Sequence, residues 1–344
     1  MTGVFPEIID RLLSRTPLPS DSVRAAFDDI FAGRWTPVQV AAFIVALRMR
    51  GENAETVVSA AKAIRAAMTP VQHSFSLVVD TCGTGGDGAH TLNLSSGAAL
   101  VVAACGLRVA KHGNRSVSSK CGSADVFEAL GIPIDLPAAL QGQILDEAGI
   151  AFLFAQTHHP AYRHVAQARR ELGMRTIFNA LGPLVNPARP THQLVGVYDD
   201  GLRPLAARAL GLLGSKGAWV VCGEDGLDEV SPCSATRVSE LTPDGEVRER
   251  VVAPEDFGLQ RCDRASIAGG SAQENARSLQ AIIAGEPHPA RDAVLLNAAA
   301  AIAVATGDDL RSCAERARLA LDRGHARDTL DRWRRAARRA QATP

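Results

Sequence analysis

Between Leu77 and Asp125 the chain twice passes from an apolar run into a loop of special chemistry, and this alternation most constrains the fold. Leu77-Val78-Val79 leads through Asp80-Thr81-Cys82 into Gly83-Thr84-Gly85-Gly86-Asp87. Thr91, Asn93, Leu94, Ser95 and Ser96 then precede a small-residue helix, Gly97 to Ala104. A second strand, Leu107 to Ala110, delivers Lys111-His112-Gly113-Asn114-Arg115, followed by Ser116, Val117, Ser118 and Ser119. Gly122-Ser123-Ala124-Asp125 opens another helix. Strands joined through a helix cross over right-handed and pair in parallel. Both loops therefore leave the same end of neighbouring strands, where open α/β sheets bind ligands.

The loops carry groups for anions. Glycines at 83, 85 and 86 let backbone N–H groups converge. Asn93, Ser95 and Ser96 sit at a helix start, whose free amides and dipole favour phosphate. Lys111 and Arg115 add full charges, and Ser118, Ser119 and Ser123 add hydroxyls. A single phosphate does not need three such cradles, whereas a ligand with a phosphate at one end and a pyrophosphate at the other does. The glycine loop alone is weak evidence. No Gly-Lys-Ser/Thr follows it, and its third glycine is misplaced for a dinucleotide fingerprint.

With these motifs in place, the chain resembles the anthranilate phosphoribosyltransferase family, which joins anthranilate to phosphoribosyl pyrophosphate in tryptophan biosynthesis. The resemblance continues through His159-Pro160-Ala161, Arg169-Arg170-Glu171-Leu172-Gly173, Arg175-Thr176-Ile177-Phe178-Asn179 and Leu181-Gly182-Pro183-Leu184. It extends to Gly226-Leu227-Asp228-Glu229, Asn275, Asp292 and Leu296-Asn297-Ala298-Ala299. It implies an α/β fold: a small all-helical domain, 1–70 plus about 160–190, and a large domain, 71–159 plus 191–344. The large domain would hold a mainly parallel central sheet flanked by helices. A homodimer through the helical domain is implied as well.

Site residues follow from the same resemblance. Phosphoribosyl pyrophosphate would meet Gly83, Gly86, Asp87, Thr91, Asn93 to Ser96, Lys111 to Ser119 and Ser123. Anthranilate would meet Gly83, His112, Asn114, His159, Arg169, Gly182 and Pro183, with the Arg169 fork on its carboxylate. Ser95, Asp228 and Glu229 would hold Mg²⁺, as two ions. No residue is expected as a dedicated acid or base, because an arylamine already has a free lone pair at neutral pH. Leu92, Ser96 and Gln156 depart from the family pattern, where an aromatic, a threonine and a proline are usual.

The rest of the chain sets bounds. Lys+Arg and Asp+Glu both number 37, which speaks against nucleic acid or a membrane as partner. Seven cysteines lack zinc or disulfide spacing, and Cys82 and Cys121 are expected to be small apolar filler. With no signal-peptide pattern after Met1, a cytoplasmic location is expected. Residues 4 to 68 predict four helices, with Thr36-Pro37 starting one that Gly51 ends and Asn53 capping the next. Further strands are predicted at 76–80, 107–111, 132–135, 150–155, 193–198 and 218–222, and a hairpin at 237–252. Helices are predicted at 160–172 and 176–181, and at roughly 272–284, 290–306, 308–322 and 325–341. Two rivals remain. A nucleoside phosphorylase would need a Lys-His-Ser-Thr-Gly-Gly loop, which Asn114 and Arg115 replace. A non-catalytic nucleic-acid-binding relative would rest on the arginines of the last helix.

Overall fold

The computed structural model describes residues 4–116 and 120–342. Four helices come first: α1 (Val4–Leu13), α2 (Ser20–Phe31), α3 (Pro37–Arg50) and α4 (Ala54–Ala67). The predicted caps form. Thr36 Oγ1 accepts from the Gln39 N–H at 3.3 Å, and the Gln39 side chain accepts from the Thr36 N–H at 2.9 Å. Asn53 caps α4 through the Thr56 N–H at 2.9 Å.

The large part alternates strands and helices: β1 (Val79–Gly83), α5 (Leu94–Ala104), β2 (Val109–Gly113), α6 (Ser123–Ala129), α7 (Ala138–Ala148) and β3 (Ile150–Phe154). Short α8 (Ala155–His158), α9 (Arg163–Leu172) and α10 (Ile177–Leu181) lead to β4 (His192–Gly196), α11 (Leu202–Leu212) and β5 (Gly217–Gly223). The hairpin β6 (Thr236–Leu241) and β7 (Val247–Val252) precedes α12 (Ala272–Ile283), α13 (Arg291–Thr306), α14 (Leu310–Asp322) and α15 (His325–Ala342).

Among the described residues the seven strands form one sheet, ordered β3-β2-β1-β4-β5-β6-β7. The first five run parallel, and the hairpin adds an antiparallel edge. The order reverses between β1 and β4, so the crevice beyond their C-terminal ends is a topological switch point. Period-two alternation divides the core between the two faces. Leu194, Trp219 and Val221 pack with α5 and α13, whereas Val195, Ala218, Val220 and Cys222 share a cluster with α11 and the N-terminal helices. Gly97 permits α5 to meet α13, because a Cβ there would stand 3.0 Å from Val294.

Three expectations need correction. No strand forms at 132–135: Ile132 and Ile134 are buried, but Pro133 cannot donate to a ladder. β1 and β2 begin and end three and two residues later than the predicted 76–80 and 107–111, because Asp80, Thr81 and Lys111 continue the strands as a buried polar group. The helix expected at 160–172 starts as a 3₁₀ turn, Pro160–Tyr162, before α9. Three arginines of the last helix find partners on neighbouring elements: Arg332 donates to the Ala148 carbonyl at 3.2 Å and Arg334 to the Leu130 carbonyl at 2.7 Å, and Arg339 pairs with Glu147.

Candidate active site

The glycine loop leaves β1 at the switch point. Gly85 and Gly86 hold φ of +66° and +84°, which suits glycine. Gly83 and Gly196, ending β1 and β4, lie against Asp228, and a Cβ on Gly83 would stand 2.6 Å from its Oδ2. The Gly85 N–H donates to that oxygen at 2.7 Å. Asp87 accepts from the Ala89 N–H at 3.0 Å and faces the Asp228 N–H at 3.5 Å. Arg175, which the sequence reading did not single out for the site, donates to the Gly86 carbonyl and stacks 3.9 Å from the Tyr198 ring centre.

At the α5 start, Asn93 does not cap with its side chain; it donates to the Cys121 carbonyl at 3.1 Å and accepts from Asn275 at 2.9 Å. Thr91 bridges to Ala268. Leu94 is wholly buried, so only its backbone can face a ligand, while the Ser96 hydroxyl is buried and has no partner. The Ser95 N–H already donates to Glu229 Oε1 at 3.1 Å.

In the basic loop, Lys111 does not reach outward. It is buried, and its ammonium donates to the Thr81 carbonyl and to Ser95 Oγ at 3.3 Å. It also neutralises Asp80, whose carboxyl burial pushes up while Lys111 and the Asn186 amide at 2.8 Å hold it down. Arg115 is turned onto α6, paired with Asp125 and Glu128 at 2.9 Å each. Gly113 fits because a Cβ would meet Ser123 Oγ, and Ser116 N–H reaches Asp125 at 3.1 Å. Val117, Ser118 and Ser119 lie outside the described residues.

Asp228 and Glu229 therefore stand beside the α5 amides and the glycine loop. Burial and the neighbouring carboxylates Glu229 and Asp87 raise Asp228 well above the usual range. Burial raises Glu229 to about 7 against the pull of Lys111. Carboxylates crowded against a helix start, whose free amides favour anions, fit a divalent cation. Among the described residues no three His, Cys, Asp or Glu side chains form a metal site by themselves. Mg²⁺ takes one or two carboxylates and completes its shell with water and substrate phosphate.

The histidines and aromatic rings form a continuous run. His112 and His159 meet at 3.2 Å through their Nε2 atoms, and His112 Nδ1 lies 3.2 Å from the Gly182 carbonyl. Gln193 holds the Pro183 carbonyl at 2.8 Å. Rings run from His159 through Tyr162 to Phe178, and Arg169 sits 5.4 Å from the Phe178 ring centre. Arg169 is half-buried, and no carboxylate pairs with it among the described residues. The surface ion pair that would explain it structurally is not made. Asn114 Oδ1 accepts from Gln156 at 3.5 Å, so the departing Gln156 meets the rim directly. Cys82 and Cys121 are buried and their thiols are pushed up, Cys121 to about 11, in keeping with filler.

Burial depresses both histidines, His159 to about 4, so they are neutral at pH 7. Depressed folded values mean that the unfolded chain binds the extra protons. For His159 stability is then complete above about pH 6.5 and lost as pH falls toward 4, by up to ~1.4 kcal/mol per unit, and His112 acts in the same direction. Urea melts at pH 7.5 and 5.0 should show His159→Gln losing less on acidification than the parent chain. Equal losses would remove this pair from the acid limb.

The fold and crevice define a class of transferase. Sequence models of the "Glycosyl transferase family, helical bundle domain" and the "Glycosyl transferase family, a/b domain" match residues 6–68 and 76–327. An anthranilate phosphoribosyltransferase of Myxococcus xanthus is 49% identical over 325 residues, covering 94% of this chain and 96% of that protein. One from Symbiobacterium thermophilum is 50% identical over 328 residues, covering 94% and 95%. The crystal structure of the Thermus thermophilus enzyme superposes with a TM-score of 0.91 at 38% identity, covering 96% of this chain and 99% of that one. A Saccharomyces cerevisiae enzyme in complex with PRPP and Mg gives 0.90 at 28% identity, covering 97% and 98%. The chain belongs to the anthranilate phosphoribosyltransferase family.

Proposed function

We propose that this chain transfers the phosphoribosyl group of 5-phosphoribosyl 1-pyrophosphate to the amine of anthranilate, giving N-(5-phosphoribosyl)anthranilate and pyrophosphate in tryptophan biosynthesis. One observation carries the reading. Glu229 occupies the first-turn amide of a helix whose free N–H groups favour phosphate, and Asp228 occupies the glycine-loop amide at 2.7 Å. Carboxylates belong at such a spot when the ligand brings both an anion and a cation.

Ser95, Asp228 and Glu229 would hold Mg²⁺, and the separate amide partners of the two acids support two ions. Bound Mg²⁺ supplies charge neutralisation for the pyrophosphate. The amides of α5 and of the 83–87 loop cradle phosphates, with Ser123 and the loop to Ser119 taking the other end. Arg169 takes the anthranilate carboxylate, while His112, His159, Asn114 and the Gly182-Pro183 turn hold the ring near the ribose. The arylamine attacks the anomeric carbon as the C–O bond to pyrophosphate breaks. Positioning and stabilisation of the leaving group supply the acceleration, and the neutral histidines need not take a proton before attack.

We also propose the division into 1–70 plus about 160–190 and 71–159 plus 191–344, a cytoplasmic location and a homodimer through the helical part. Leu13, Val38 and Met49 support the last, being 72%, 78% and 81% exposed on α1 and α3. Light scattering should give twice 36.2 kDa; the single mass would overturn it. Among the described residues no helix is long and apolar enough to cross a membrane. Loss of anthranilate fluorescence that requires both phosphoribosyl pyrophosphate and Mg²⁺ tests the activity. Unchanged fluorescence from folded protein would refute it.

A further inference from the structure

A buried amide stands behind the acidic loop. Asn297 lies midway along α13 among alanines and is wholly buried. Its Oδ1 accepts from the Val230 N–H at 3.0 Å, and its Nδ2 donates to the Val230 carbonyl at 3.0 Å. The second Nδ2 hydrogen goes to the Ala293 carbonyl one turn back, also at 3.0 Å. An asparagine inside a helix is a poor helix former, and burying its amide is costly unless the hydrogen bonds are made. Here they are made, and two of the three go to one backbone residue of another segment. Val230 directly follows Glu229.

On the other side of the acid pair, the Asp228 backbone is pressed against Gly196, where a Cβ would overlap its carbonyl. The short stretch 228–230 is thus held from both sides, by β4 below and by α13 behind. We infer that Asn297 is a positioning residue that fixes the Asp228 and Glu229 carboxylates in the orientation their ligand requires, by clamping both backbone groups of Val230. The inference rests on the reading of this pair as the metal-holding acids. The amide's three hydrogen bonds all go to backbone, two of them to Val230, so its effect passes through the backbone of that residue.

The clamp is tested by calorimetric binding of magnesium pyrophosphate, independent of turnover, together with the KM values for both substrates. Asn297→Ser removes the two-sided contact, and Asn297→Asp keeps the acceptor for the Val230 N–H but sets an oxygen against the Val230 carbonyl. Both are expected to weaken magnesium pyrophosphate binding ten-fold or more and to raise the phosphoribosyl pyrophosphate KM, with the anthranilate KM unchanged. Circular dichroism selects the variant that folds. A folded variant with the parent's affinity, or with both KM values raised equally, overturns the clamp. Glu229→Ala run alongside separates the two ideas. If it loses affinity while the Asn297 variants keep it, the clamp alone fails; if it too keeps affinity, the reading of the acid pair fails.

Discussion

Glu229→Ala is expected to reduce turnover by about 10²–10⁴-fold, with no recovery at high Mg²⁺. The neighbouring acids meet other amides, Asp228 that of Gly85 and Asp87 that of Ala89 at 3.0 Å, whereas Glu229 meets that of Ser95 at the α5 start. Removing Glu229 also frees the Ser95 N–H, changing the α5 end that a phosphate would meet. Glu229→Gln separates these effects, because the amide oxygen still accepts from Ser95 while the charge is gone. Steady-state rates across a Mg²⁺ titration decide the matter. If both variants fall alike, charge is what matters; if only the alanine falls, the Ser95 contact is. Near-parental turnover in both would remove this loop from the mechanism.

Arg169→Ala is expected to raise the anthranilate KM by ~30–5000-fold while that of phosphoribosyl pyrophosphate changes little, as losing one partner of a desolvated charge pair costs about 2–5 kcal/mol. Burial pulls the guanidinium down from its ordinary value, and the neighbouring Tyr162 only partly opposes this. Arg169→Lys should recover only part of the loss, since an ammonium cannot match a carboxylate two-by-two. The preference should weaken toward aniline, which has no carboxylate to place. Equal KM changes for both substrates would break the assignment.

Glycines that had to be glycines were readable: Gly83 to Gly86 announced a loop before any contact was known, because few residues accept positive φ or such close approach. Helix starts at Thr36 and Asn53 were equally local, since a cap is made by residues three apart. Lys111 and Arg115 were harder. Residue type marked both as cations near phosphate, but the partners that take up their charge, Thr81 and Ser95 for one and Asp125 and Glu128 for the other, depend on how neighbouring elements dock. The strand misplaced at 132–135 shows the same limit, as apolar alternation survives there without a ladder to join.

The sequence by itself determined the order of strands and helices outside 132–135, the chemistry of each loop and, through its motifs, the family. These properties are written in neighbouring residues and short spacings. Tertiary structure alone decided that Asp228 lies against Gly83 and Gly196, that Glu229 meets the Ser95 amide, and that Asn297 grips Val230 from 67 residues away. Hydrogen bonds between distant segments depend on sheet order and on the depth to which α13 is buried, and no local pattern encodes either.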